Sequence, residues 1–147
     1  MFEITQPTST PSSQSSRSLI SVGSNPPKSD SGVIRGRPSI LSYTLELEID
    51  NEGNPHFGLD LTVKLGKLTK ISGDAELNIV NAQQMISFLP PNGSQGVAFI
   101  LSPAQSTVLP NDGDQYLATG TIQFFEDGTQ GQLTHPFSVV VDIENVE

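Results

Sequence analysis

Between residues 41 and 79 the chain alternates apolar and polar residues three times over, and a period of two places successive side chains on opposite faces of a strand. In residues 41–50, Leu41, Tyr43, Leu45, Leu47 and Ile49 alternate with Ser42, Thr44, Glu46, Glu48 and Asp50. In residues 57–65, Phe57, Leu59, Leu61, Val63 and Leu65 take one face. In residues 71–79, Ile71, Gly73, Ala75, Leu77 and Ile79 do the same. Turn-forming residues 51–55 (Asn-Glu-Gly-Asn-Pro) and a Gly-initiated loop at 66–70 separate the three runs. The simplest arrangement is a three-stranded antiparallel meander. Pairing Ile49 with Phe57 and Leu65 with Ile71 keeps every apolar residue on one face, since a one-residue slip flips a whole strand.

That register has a consequence on the polar face. Glu46, Asp60 and Glu76 fall into one row across three strands. Directly opposite side chains lie roughly 4.5–5.5 Å apart, where like charges repel. Such a row suits a calcium ion, which takes oxygen ligands, or a carboxyl group with a raised pKa. The plainer alternative is a solvated sheet face on which water and salt screen the charges.

Further along, residues 85–89 and 97–101 are short apolar runs around the turn cluster 90–96 (Pro-Pro-Asn-Gly-Ser-Gln-Gly). They are expected to form a hairpin buried on both faces, with a short helix over 82–89 as the alternative. Residues 106–109 suggest a short edge piece. Residues 115–125 and 133–143 form a last hairpin, with Pro136 at an edge or a bulge because it lacks a ladder donor. Gly128 and Gly131 in the connection leave its register open. The expected fold is therefore all-β: an antiparallel sandwich or flattened barrel of about seven strands built on the meander.

Residues 1–38 are a different material. They hold ten Ser, three Thr and five Pro but few bulky apolar residues. Too little apolar surface is available there to offset the entropy of ordering. The expected organisation is a disordered, mildly basic N-terminal tail over 1–38 and one all-β domain over 39–147. Within the tail, Arg35 and Arg37 could dock on an acidic partner or on the acidic half of a second copy.

Charge narrows the partners. The net charge is -9, and every Lys and Arg lies at or before Lys70. Nucleic acid and anionic membrane are bound through Lys and Arg, so neither is an expected partner. There is no cysteine, hence no disulfide framework. No apolar run approaches the roughly 18 residues of a membrane span. The first residues lack the charged start and apolar core of an export signal, which points to the cytoplasm.

Catalytic candidates are few. No P-loop, G-x-S-x-G, H-E-x-x-H or dinucleotide fingerprint is present. Of the two histidines, His56 reads as part of a turn. His135 lies on an apolar strand face, where it serves the core or the mouth of a barrel, and Tyr116 is the other candidate. The Asp/Asn/Gly clusters at 50–54 and 111–114 lack EF-hand spacing. With no Trp and two Tyr, an aromatic sugar platform is also missing. The residues therefore point to a non-enzymatic interaction or assembly module that meets a protein partner or itself, without a cofactor. The alternative is a small-molecule-binding barrel, which as an enzyme would be of isomerase type, with His135, Tyr116 or the Glu46 row at its mouth. A flat apolar surface patch would favour the first and a polar-lined cavity the second.

Overall fold

The structure is a computed structural model and describes residues 27–52, 57–104, 108–126 and 131–146. Eight strands run along these residues: β1 (Lys28–Arg37), β2 (Ser42–Asp50), β3 (Gly58–Lys70), β4 (Leu77–Ile79), β5 (Gln83–Leu89), β6 (Ser94–Pro103), β7 (Gln115–Glu126) and β8 (Leu133–Asn145). A 3-10 turn, Pro38–Ile40, joins β1 to β2. The strands form one mixed sheet in the order β4-β6-β2-β1-β8-β7-β3-β5, curled into a half-barrel. Neither an antiparallel sandwich nor a seven-strand count describes it: β1 and β8 pair in parallel, and the other neighbours are antiparallel.

The alternation in the sequence marks most of the side chains that turn inward, although Leu41 and Phe57, expected on the same face, are exposed. Tyr43, Leu45, Leu47 and Ile49 of β2 are buried, as are Leu61, Val63 and Leu65 of β3. Facing them are Phe99 and Leu101 of β6, Ile122 and Phe124 of β7, and Val139, Val141 and Ile143 of β8, in one continuous apolar core. The expected meander does not exist, however. β2 pairs with β1 and β6, whereas β3 pairs with β5 and β7. The third run shortens to β4, three residues at the far edge against β6, and Ile71 is exposed. Alternation reports the face a residue occupies; it does not report which strand lies alongside.

The largest revision concerns the boundary at residue 38. Lys28–Arg37 is a strand in the middle of the sheet, antiparallel to β2 and parallel to β8. Its inward positions are Gly32, Ile34 and Gly36. A Cβ at Gly32 would lie 2.5 Å from Leu47 Cδ2, and one at Gly36 would lie 2.6 Å from the Tyr43 ring. The large side chains of β2 thus fill the space that β1 leaves. Apart from Ile34, which is fully buried in the core, this strand contributes backbone ladder and room, so its composition resembles a tail. The expectation of disorder for residues 1–26 falls outside the described residues, as do His56 and residues 53–55, 105–107 and 127–130.

The second apolar pair is also rearranged. Gln83–Leu89 is a strand rather than a helix, but it pairs with β3, while β6 pairs with β2 and β4. The turn between them therefore carries the chain from one end of the sheet towards the other. Gly93 N–H donates to Pro90 O at 2.9 Å, and Asn92 has φ 61°. Buried Asn51 pins this crossing. Its Nδ2 donates to Leu89 O at 3.1 Å and to Pro90 O at 3.2 Å, and its backbone N–H donates to Gly93 O at 2.8 Å.

The last hairpin forms as expected. β7 and β8 pair from Gln115↔Asp142 to Phe124↔Leu133, with Pro136 opposite Thr121. Pro136 lies outside the stretch of β8, residues 142–145, that pairs with β1. Its missing donor is tolerated where, among the described residues, β8 has a neighbour on one side alone.

Candidate interaction surface

The candidate metal residues are not brought together. Glu46 stands on β2, third in the sheet, with Val33 and Ala98 as its lateral neighbours. Asp60 stands on β3, seventh in the sheet, at a register shift against β7 and with φ 48°. Glu76 precedes β4. Two of the three have cationic partners: Arg35 Nε lies 3.0 Å from Glu46 Oε1, and Lys70 Nζ lies 3.4 Å from Glu76 Oε2. Arg35 also contacts Glu144 across the parallel pair. Among the described residues, no group of three or more His, Asp or Glu is placed to hold a metal ion.

His135 and Tyr116 are not neighbours either. His135 on β8 pairs with Ile122 of β7, six residues along the strand from Tyr116. That separation is about 20 Å at the rise of a strand. The Tyr116 hydroxyl donates to Ala75 O at 2.7 Å in the core. Burial, reinforced by Asp114, pushes its pKa up to about 12. Burial, reinforced by Lys28, lowers the pKa of His135. Tyr116 is thus a structural hydrogen-bond donor to the loop before β4.

The unusual surface lies at the other end of the sheet. In β5, Gln83-Gln84-Met85-Ile86-Ser87-Phe88-Leu89, Ile86 and Leu89 point into the core. Met85 and Phe88 point out, with 67% and 49% of their surfaces exposed. The face changes between Leu59 and Leu61 of β3, where Asp60 adopts a left-handed backbone. As a result, Leu59 turns partly outward while Leu61 is fully buried. Phe88 and Phe125 are the lateral neighbours of Leu59 on either side. Phe57, 38% exposed, stacks on Phe88 with ring centroids 5.1 Å apart. Phe57, Phe88, Leu59 and Phe125 therefore form an apolar row across the outer face of β5, β3 and β7.

β5 is also a sheet edge. Its sole neighbour among the described residues is β3, so no described strand pairs with its other side. The strand carries no charge and no proline, two of the devices that proteins use to keep an edge from pairing. A second apolar pair, Val80 and Ile100, sits at the opposite edge, where Val80 N–H donates to Ile100 O at 2.8 Å.

The apolar runs 85–89 and 97–101 predict burial on both faces. Instead Met85, Phe88 and Ile100 are exposed. The usable signal was the apolar content of both faces of β5 without a charge on either. Such a strand is either covered twice or leaves one face for a partner.

No family model matches the chain, and no curated protein matches it. Among solved structures, it is similar to the CooA pilin subunit from enterotoxigenic Escherichia coli. The identity is 12% over 76% of this chain and 88% of that one, with a TM-score of 0.30. Overlap this slight leaves function to the residues themselves. No helix among the described residues is long and apolar enough to cross a membrane.

Proposed function

We propose that the protein is a non-enzymatic interaction and assembly module, and that its contact surface is the outer aromatic face beside β5. The observation that carries this reading is the row Phe57–Phe88–Leu59–Phe125, which is apolar, partly solvent-exposed and next to an uncharged sheet edge. Aromatic side chains supply large contact area at small entropic cost, and exposed clusters of them mark protein contacts. The acidic background supports the same reading. Net charge of -9 keeps separate copies soluble, while the aromatic row itself carries no charge to desolvate.

The test is sedimentation velocity over a concentration series at moderate salt. The parent protein should associate as concentration rises. Phe88→Asp should weaken that association at least tenfold and leave the melting temperature nearly unchanged, because Phe88 is outside the core. A parent that stays monomeric throughout, or a Phe88→Asp variant that associates equally well, overturns the reading.

A further inference from the structure

The outer face of the sheet is electrically divided. On β2, Glu46, Glu48 and Asp50 alternate with buried Leu45, Leu47 and Ile49 and so share the outer face. On β3, beyond the aromatic row, Lys64 and Lys67 are exposed. β2 is third in the sheet and β3 is seventh. Four strand spacings amount to about 19 Å, more than twice the roughly 8 Å over which charges act at physiological salt. The two patches therefore do not neutralise each other within one molecule. Arg35, which stands between them on β1, is taken up by Glu46 and Glu144. Among the described residues, Glu48, Lys64 and Lys67 form no ion pair.

Each patch carries apolar surface at the same offset from its charge. Thr62 pairs with Met85, so Lys64 is a diagonal neighbour of Met85 across β3 and β5. Thr44 pairs with Ile100, so Glu46 is a diagonal neighbour of Ile100 across β2 and β6. Diagonal neighbours stand roughly 7–8 Å apart, and both Met85 and Ile100 are exposed. The relief of the two faces is opposite. The β6 residues beside Glu46 and Glu48 are Ala98 and Gly96, small and exposed, whereas the β3–β5 face projects Met85 and the stacked Phe57 and Phe88.

We infer that the lysine-bearing aromatic face of β3 and β5 docks on the acidic outer face of β2 and β6 in a second copy of this chain. The inference rests on the reading of the aromatic face as the contact surface and names what that surface meets. Opposite charges at the rim set orientation and hasten encounter, and the exposed apolar side chains between them supply the contact area. Two different surfaces meet, so each copy in a pair keeps one of each free. Such a contact is heterologous and continues head to tail into rings or filaments instead of closing at a dimer.

The test is sedimentation velocity on the full chain and four variants: Glu48→Lys, Lys64→Glu, the two exchanges combined in one chain, and Phe88→Asp. The parent should grow past the dimer as concentration rises. Glu48→Lys and Lys64→Glu should each weaken association by about fivefold or more, since each turns an attraction into a repulsion. The combined variant restores opposite charges and should regain most of the parent's association. In about 1 M salt the gap between the parent and Lys64→Glu should narrow. An equimolar mixture of Glu48→Lys and Phe88→Asp should form a one-to-one complex and nothing larger, because the first brings an intact β3–β5 face and the second an intact β2–β6 face. Melting temperatures should stay nearly unchanged throughout.

A parent whose mass stops at the dimer overturns the inference. So does a combined variant that fails to regain association, or a mixture that forms no complex. Loss of association in Phe88→Asp alongside parent-like association in Glu48→Lys keeps the aromatic contact and rejects the acidic face as its partner. A parent that stays monomeric overturns both readings.

Discussion

β2 and β5 end in opposite situations, β2 with a strictly alternating sequence and β5 with apolar residues on both faces. Both bury one face in the common core, through Leu45 and Leu47 in β2 and Ile86 and Leu89 in β5. β2 has neighbours along both sides, β1 and β6. Its outer face carries Glu46, tied to Arg35, which also meets Glu144 of β8. Among the described residues, β5 has one neighbour, and its outer face carries Met85 and Phe88. The inner faces are interchangeable in kind, since both need bulk to fill a core. The outer faces differ in that one carries ion-paired side chains and the other exposed apolar ones. For this chain the fold is recorded on the inward residues, and the function is to be sought on the outward ones.

Core truncation is the largest expected effect and sets the scale of the comparison. Leu45→Ala in β2 and Leu61→Ala in β3, both fully buried, should each cost about 2–5 kcal/mol in denaturant unfolding. Met85→Ala, on the outer face of β5, should stay within about 0.5 kcal/mol. A large cost at Met85 would mean that its face is already covered in the free protein, and the contrast between the two strands would collapse.

Next in size is the joint between the two halves of the sheet. Asn51→Ala removes two side-chain hydrogen bonds, to Leu89 O and Pro90 O, in a buried site. Leaving buried carbonyls without donors costs about 1–3 kcal/mol. The loss should be local as well as global: amides of β5 and of residues 90–93 should exchange faster than those of β2. Uniform acceleration across the sheet would show that Asn51 supports the core as a whole rather than the crossing.

How far the sequence carried depended on whether a signal was local. The inward faces of β2, β3, β7 and β8 were legible because burial imposes a period of two on each strand separately. The β7–β8 hairpin was legible because its strands follow each other closely. β1 was not, since Gly32 and Gly36 serve the sheet by leaving room for Leu47 and Tyr43. That role appears once those partners are in place. The pairing of Val33 with Asp142 joins residues more than a hundred positions apart, and nothing in either segment announces the other. The acidic row failed for the same reason. The faces of Glu46 and Asp60 were read from alternation, and their adjacency was borrowed from a meander that long-range pairing replaced. Left-handed Asp60, which breaks the alternation of β3 and turns Leu59 outward, is a residue whose type gave little warning. The aromatic face could have been suspected from the uncharged, doubly apolar β5.

The smallest expected effect lies on β8 and is a pH dependence. His135 is half-buried opposite Ile122, and burial, followed by the nearby Lys28 ammonium, lowers its pKa. A folded pKa below the unfolded value of about 6.5 means that the folded state binds the proton less readily. Above pH 6.5 the imidazole is neutral in both states, and its contribution to stability is fully present. As pH falls through the folded value that contribution is lost. The melting temperature of the parent should therefore fall between pH 7 and pH 5 more steeply than that of His135→Gln. Asp50, whose pKa is raised by burial and then by Glu48, Asp30 and Glu52, acts in the opposite sense. Its contribution is fully present below about 3.8 and fades as pH rises through its folded value, so both proteins should be compared in an Asp50→Asn background. Lys28 separates the two causes at His135. Lys28→Met removes the charge and leaves the ring buried, so the gap between parent and His135→Gln should shrink and persist. Its disappearance would assign the shift to the ammonium at the start of β1 rather than to the sheet that encloses the ring.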